Sequence, residues 1–225
     1  VETSSQEADA AIITIGRQAG EGLDRDIKTE FNLNEDEKSM IDRVSSVYHQ
    51  AGKPVVVVIN SGSVMETASW RDAVDAILVA WQPGEEGGNS VADVLTGKVN
   101  PSGHLTMTWP ISAYDVPSTN NFPQTPDYYN FTDKFAGGCM KGVNYSNHEE
   151  DIYVGYRYFD TFGKPVAYPF GFGLSYTTFK YSNLKASAKG NKVNVDVTVT
   201  NTGKTAGKQV AQIYVSAPKG NIQKP

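Results

Sequence analysis

The 225-residue chain carries 20 Lys and Arg against 25 Asp and Glu, a formal net charge of -5, and is 39% hydrophobic. That suffices for one large domain, or for one domain and part of another; the basic residues form no stripe, which argues against a nucleic-acid partner, and no apolar run approaches the ~20 residues of a membrane-spanning helix, so no membrane partner is expected. A single cysteine, Cys139, excludes an internal disulfide and leaves cytoplasmic, periplasmic and secreted locations open.

The polar start, Val1 to Ser5, has no initiating Met and reads as a cut through a longer polypeptide. Ala10 to Ile15 is an apolar run that predicts a buried strand, and the glycine- and charge-rich stretch Gly16 to Asp26 follows it. Asn34 with Glu37 three residues on has the spacing of a capping box. Met40, Ile41, Val44, Val47 and Tyr48 then recur at helical spacing, and Gly52 and Pro54 close the helix. Pro54 to Asn60 is β-branched without alternation, as in a strand buried on both faces of a parallel sheet. Ser61-Gly62-Ser63 turns the chain into a short irregular or helical piece over 64–73, and Ala76 to Trp81 predicts a third strand.

Gly84 to Asn89 leads into a helix with Val91, Val94 and Leu95 on one face, and His104 to Pro110 reads as a short strand ended by proline. Strand and helix therefore alternate over the first 110 residues, which argues for a layered α/β domain. Residues 111–150 are rich in Pro, Asn, Asp and Tyr, a long irregular segment of the kind that is often functional. A tyrosine-rich stretch follows from Asp151 to Asp160. Lys192 to Thr200 alternates apolar and polar residues, Asn201-Thr202-Gly203 is a turn, and Gln209 to Val215 predicts another strand. Together these resemble the opening of a β-sandwich, but ~45 residues fall short of the ~100 that such a domain needs.

Several chemistries are disfavoured by the motifs. His49, His104 and His148 are scattered, no pair has ligand spacing, and Cys139 has no companion, so no metal is expected; His49 near a helix C-terminus is explained by the helix dipole. There is no Gly-x-Ser-x-Gly elbow, and Ser61 reads as a capping hydroxyl in a strand-to-helix turn. Gly20-Glu21-Gly22 lacks the third glycine of a dinucleotide fingerprint, and no Gly-Lys-Ser/Thr occurs. Glu85 and Glu86 precede a helix, where acids complement the dipole. No cofactor is expected. What remains is Glu21, one carboxylate between two glycines beyond the C-terminal end of a strand, where α/β sheets bind ligands. Such a group suits proton transfer in glycoside hydrolysis, and solvated loop residue is its plain alternative.

The strings "GEGLDRD", "KPVVVVINSGSVME", "AILVAWQPGEEGGNSVADVLTGKVNPSGHLTMTWP", "EEDIYVGYRYFDTFGKPVAYPFGFGLSYTTF" and "VTNTGKTAGKQVAQIYVSAPKG", in that order, resemble the C-terminal half of glycoside hydrolase family 3 β-glucosidases, over nearly the whole chain. The resemblance implies an α/β sandwich domain with a mostly parallel six-stranded sheet over 1–178 and the first strands of an incomplete fibronectin type III-like β-sandwich over 179–225. It also implies a partner, an N-terminal barrel domain of the same polypeptide that carries an Asp nucleophile, and a β-glucoside or oligosaccharide substrate hydrolysed with retention; the family includes β-xylosidases too. The acid/base of the resembled family matches Glu21. Gly20 and Gly22 would let its loop enter the cleft unobstructed, Leu23 replaces a Tyr common in relatives near the aglycone, and Asp24 and Arg25 either hold the loop by a salt bridge or are simply solvated. Burial by substrate and the nucleophile's charge would favour protonated Glu21 in the first step. Glu149 and Glu150, beside Asp151, are the competing acids. A fragment without the nucleophile is expected to be inactive alone. The alternative is a non-catalytic carbohydrate-binding or structural module. Asn130-Phe131-Thr132 and Asn144-Tyr145-Ser146 match glycosylation sequons, which act only in a eukaryotic secretory route.

Overall fold

The computed structural model describes residues 1–18, 25–120, 148–216, 218, 220 and 224. Its centre is a three-stranded parallel sheet of β1 (Ala11–Gly16), β2 (Val55–Asn60) and β3 (Ala76–Val79), in the order β1-β2-β3. Ala11 lies opposite Val55 and Gly16 opposite Asn60, while Val56 to Ile59 face Ala76 to Val79. Parallel neighbours need a crossover, and helix α2 (Glu35–Gln50) supplies the one between β1 and β2. The capping box forms: Asn34 Oδ1 accepts from the Glu37 N–H at 2.9 Å, and Glu37 Oε2 accepts from the Asn34 N–H at 3.0 Å. Gly52, at φ +69°, takes the left-handed conformation just past the helix end.

Ile41 and Tyr48 of α2 join Ile13, Ile15, Val57 and Ile59 in one buried core, with Met65, Trp70 and Trp109 beside them. β1 alternates buried and exposed residues, so Ile12 faces outward, whereas β2 is buried along nearly its whole length. The β-branched run without alternation thus sits in the middle of the sheet, as its pattern demands. His49 makes a side-chain contact at the end of the helix: its Nε2 lies 2.9 Å from Asp75 Oδ2, which also accepts from the Val55 N–H at 2.7 Å. The Val55 N–H, and then the imidazole, hold the Asp75 carboxyl below its usual range.

Beyond β3, helix α3 (Gly87–Leu95) forms where expected, with Glu86 Oε2 accepting from the Asn89 side chain at 2.6 Å. The strand expected over 104–110 is shorter. Only β4 (Trp109–Pro110) pairs, antiparallel to β5 (Val166–Tyr168). Pro169 has no N–H to continue that ladder, and Leu105 instead exchanges backbone hydrogen bonds with Phe172 and Gly171, both at 2.8 Å. Two short helices, α1 (Glu2–Glu7) and α4 (Tyr156–Thr161), are not announced by the sequence pattern. Trp109 is buried edge-on between Trp81 and Tyr168, with ring centroids at 6.1 and 6.2 Å.

The chain then forms an antiparallel ribbon of β6 (Phe179–Lys189) and β7 (Lys192–Asn201), turning at Gly190 and bulging between Ser182 and Lys185, where Asn183 has φ +55°. The expectation of a strand over Gln209 to Val215 is corrected: those residues are exposed and join no ladder. A strand requires a hydrogen-bonding neighbour, and among the described residues the tie that reaches this run from the ribbon is one hydrogen bond, Tyr181 Oη to the Val210 carbonyl at 3.0 Å. Asn100, in the α/β layer, ties together the two segments that flank the ribbon. Its Oδ1 accepts from Ser175 Oγ at 2.9 Å and the Tyr176 N–H at 2.8 Å, and its Nδ2 donates to the Ala206 carbonyl at 2.9 Å.

Candidate active site

The C-terminal ends of parallel strands are where α/β sheets place ligands, and here charged groups concentrate at that edge. The Arg17 N–H donates to the Asn60 carbonyl at 3.0 Å, extending the β1–β2 ladder by one step. The Arg17 guanidinium grips both oxygens of Glu37, Nη1 to Oε1 at 2.6 Å and Nη2 to Oε2 at 2.7 Å. This fork is bidentate and largely shielded from water, with side-chain exposures of 8% and 18%. Burial pushes the Glu37 carboxyl up, but the Arg17 hydrogen bond and the Asn34 N–H outweigh it, so the net shift is down and the carboxylate stays ionised.

A π-helical turn at Ile27–Phe31 follows, capped by Asp26, whose Oδ1 accepts from the N–H groups of Lys28 and Thr29, both at 2.9 Å. The Thr29 hydroxyl and these N–H groups hold the Asp26 carboxyl down. The Glu30 carbonyl in this turn accepts from Arg17 Nε at 3.0 Å and also from Arg25 Nη2. Arg25 Nη1 further donates to the Val64 carbonyl at 3.3 Å. Burial lowers the Arg25 guanidinium, the Glu30 carboxylate opposing it and Arg17 adding to it. The turn is joined to the stretch after β2 as well: the Glu66 N–H donates to the Phe31 carbonyl at 2.8 Å, and the Glu66 carboxylate accepts from the Ser69 N–H and hydroxyl, both at 2.7 Å. Ser61 spends its hydroxyl on its own turn, donating to the Ser63 carbonyl at 2.9 Å.

Of the sequence-derived site residues, Gly20, Glu21, Gly22, Leu23 and Asp24 lie outside the described residues, and Arg25 lies inside. Arg25 is directed at two backbone carbonyls, those of Glu30 and Val64. Arg17, Glu30 and Glu66 were not singled out from the sequence. An Arg directly after a strand was the available signal for the first, but its partner stands twenty residues on, beyond any local spacing rule. Glu37 was read only as a cap; its second use needs the tertiary contact.

A family profile described as "Glycosyl hydrolase family 3 C-terminal domain" matches residues 1–176. The chain belongs to this family. Among curated relatives of this family 3 domain, Beta-glucosidase A of Butyrivibrio fibrisolvens is 38% identical over 97% of this chain and 29% of that protein. Beta-glucosidase B of Emericella nidulans is 44% identical over 74% of this chain and 19% of that protein. Among solved structures, β-glucosidase 3B of Thermotoga neapolitana in complex with α-D-glucose superposes with a TM-score of 0.78 at 48% identity, over 90% of this chain and 26% of that one. The family 3 domain therefore spans under a third of the length of the glycoside hydrolases it matches.

Of the competing acids of this domain, Glu150 borders, with Tyr153, Tyr156, Phe159 and Phe170, a cavity of about 360 Å³ that no residue of the Arg17 edge lines. Its Oε1 is 3.8 Å from His148 Nδ1, and its Oε2 has no partner among the described residues. Asp151 stands in a turn at φ +49°. Among the described residues no cluster of three or more His, Cys, Asp and Glu has metal-binding geometry, and no helix is long and apolar enough to cross a membrane.

Proposed function

We propose that this family 3 domain supplies the general acid/base of a retaining β-glucosidase that releases terminal β-D-glucosyl residues, and that Glu21 is the proton-transfer group. The observation that carries the reading is the fixed frame on either side of the segment bearing Glu21: Arg17 before it and Arg25 after it both donate to the Glu30 carbonyl, at the C-terminal edge of the parallel sheet. The names of the relatives, β-glucosidases A and B, support β-glucosides as the substrate class. In this reading a barrel domain of the same polypeptide contributes the Asp nucleophile. Glu21 protonates the departing glycosidic oxygen as the glycosyl-enzyme forms, then takes a proton from the water that hydrolyses it. Gly20 and Gly22 clear the approach, Leu23 borders the aglycone, and Asp24 with Arg25 holds the loop. The family match ends at residue 176 and the ribbon begins at Phe179, which supports a boundary between an α/β domain over 1–178 and a partial fibronectin type III-like domain over 179–225.

The test is Glu21→Ala in the full-length enzyme. A glucoside with a poor leaving group, which needs protonation, is expected to lose about 10²–10⁴-fold in kcat/KM. An activated aryl glucoside is expected to lose far less in the first step. Equal loss for both, or full activity of Glu21→Gln, returns the domain to a structural or carbohydrate-binding role. The 225-residue chain alone is expected to turn over no nitrophenyl β-glucoside, because in this reading the nucleophile stands on the barrel domain.

A further inference from the structure

The Arg17–Glu37 pair is larger in its connections than a surface ion pair. The Arg17 side chain makes five hydrogen bonds: two to Glu37, and one each to the carbonyls of Gly16 (2.8 Å), Glu30 (3.0 Å) and Asn32 (3.2 Å). It thereby joins the last residue of β1, the π-helical turn and the entrance of α2 through a single planar group. Glu37 is itself immobilised, because Oε2 also closes the capping box with the Asn34 N–H. A charge this well shielded is retained only where its partners are complete, since removing either leaves an uncompensated buried ion.

Arg17 stands two residues before the segment 19–24, and Arg25 stands directly after it, bound to the same Glu30 carbonyl. The geometry points to Arg17 and Glu37 as positioning residues for the proton-transfer step: together they fix where the segment bearing Glu21 leaves the sheet. This inference rests on the assignment of Glu21 as acid/base. Neither residue touches substrate in this role. A lysine keeps the charge of Arg17 but not its fork, and cannot hold both Glu37 oxygens while reaching the carbonyls of Glu30 and Asn32. Glutamine at 37 keeps the shape and one acceptor oxygen but loses the charge that matches the guanidinium.

The experiment uses the full-length enzyme with Arg17→Lys, Glu37→Gln and Glu21→Ala side by side. Rates are normalised to the fraction of active enzyme titrated with a slow-reacting fluoroglucoside. Expected for Arg17→Lys and Glu37→Gln is a loss of about tenfold or more in kcat on an alkyl glucoside, with KM little changed, while kcat/KM for a dinitrophenyl glucoside falls less than about threefold. The basic limb of the kcat/KM–pH profile is expected to move with the same two substitutions, because the acid is no longer held in one place. Uniform loss on both substrates, or no loss on either, overturns the positioning role. If Glu21→Ala itself shows no dependence on the leaving group, the acid/base assignment is what fails, and the inference falls with it. Should Arg17→Lys give no folded enzyme, Glu37→Gln decides between these outcomes, because its side chain still accepts the Asn34 N–H of the cap.

Discussion

The parallel sheet and strand β7 of the C-terminal ribbon both draw on valine and end in opposite conditions. Val55, Val57 and Ile59 of β2 are fully buried, whereas Leu184 of β6 is 70% exposed, Val193 of β7 is 59% exposed and Val215 is 83% exposed. β2 is an unbroken run of Val and Ile, whereas β7 alternates Val with polar residues and Thr, and both patterns suit strands. The difference is what lies on top. α2 covers one face of β1 and β2, so each buried side chain removes apolar surface from water. The ribbon has two strands and no covering layer among the described residues, and an isolated two-stranded hairpin is marginal in water. Strand propensity draws the ladder; burial decides how much it stabilises.

The contrast can be broken or sharpened by substitution. The largest effect is expected at Ile59→Ala, which opens a cavity at the centre of the sheet and should cost about 2–5 kcal/mol in denaturant unfolding. A value under about 1 kcal/mol would mean that the sheet is no better packed than the ribbon. An intermediate effect is expected from pH at the Arg17–Glu37 pair. The Glu37 carboxyl is lowered in the fold, so its contribution is full above the ordinary glutamate value of about 4.3, and is lost as pH falls below that value through the lowered one. Melting temperature followed downward from about pH 6 should therefore drop more steeply in the parent than in Glu37→Gln. The smallest effect is expected at Leu184→Ala, within about 0.5 kcal/mol, as for exposed positions generally. A cost approaching that of Ile59→Ala would show the ribbon face to be covered in solution.

Much of the first region was legible because its signals are local. β1 and β2 follow from apolar runs, and the start of α2 from Asn34 and Glu37. The parallel sheet counts three strands among the described residues, half the number that the family resemblance implies. The shortened β4 depended on Pro169, nearly sixty residues away, and a strand at 209–215 would have depended on a neighbour that periodicity cannot supply. The candidate site divides in the same way. Glu21 was reached through its glycines and the family resemblance, and lies outside the described residues. The frame around it joins Arg17 to Glu37 and Arg25 to Val64. These contacts are made between elements distant in sequence, so no spacing rule reveals them.

Asn100 has one further consequence for how the two regions are held together. Its amide is read in one direction only, with the oxygen toward Ser175 and Tyr176 and the nitrogen toward Ala206. Exchanging that nitrogen for oxygen, as in aspartate, would set a carboxylate against the Ala206 carbonyl while leaving size and shape almost unchanged. The hold of Asn100 on the segments that flank the C-terminal ribbon is thus a matter of polarity at a single atom, a latch keyed by chemistry rather than by bulk.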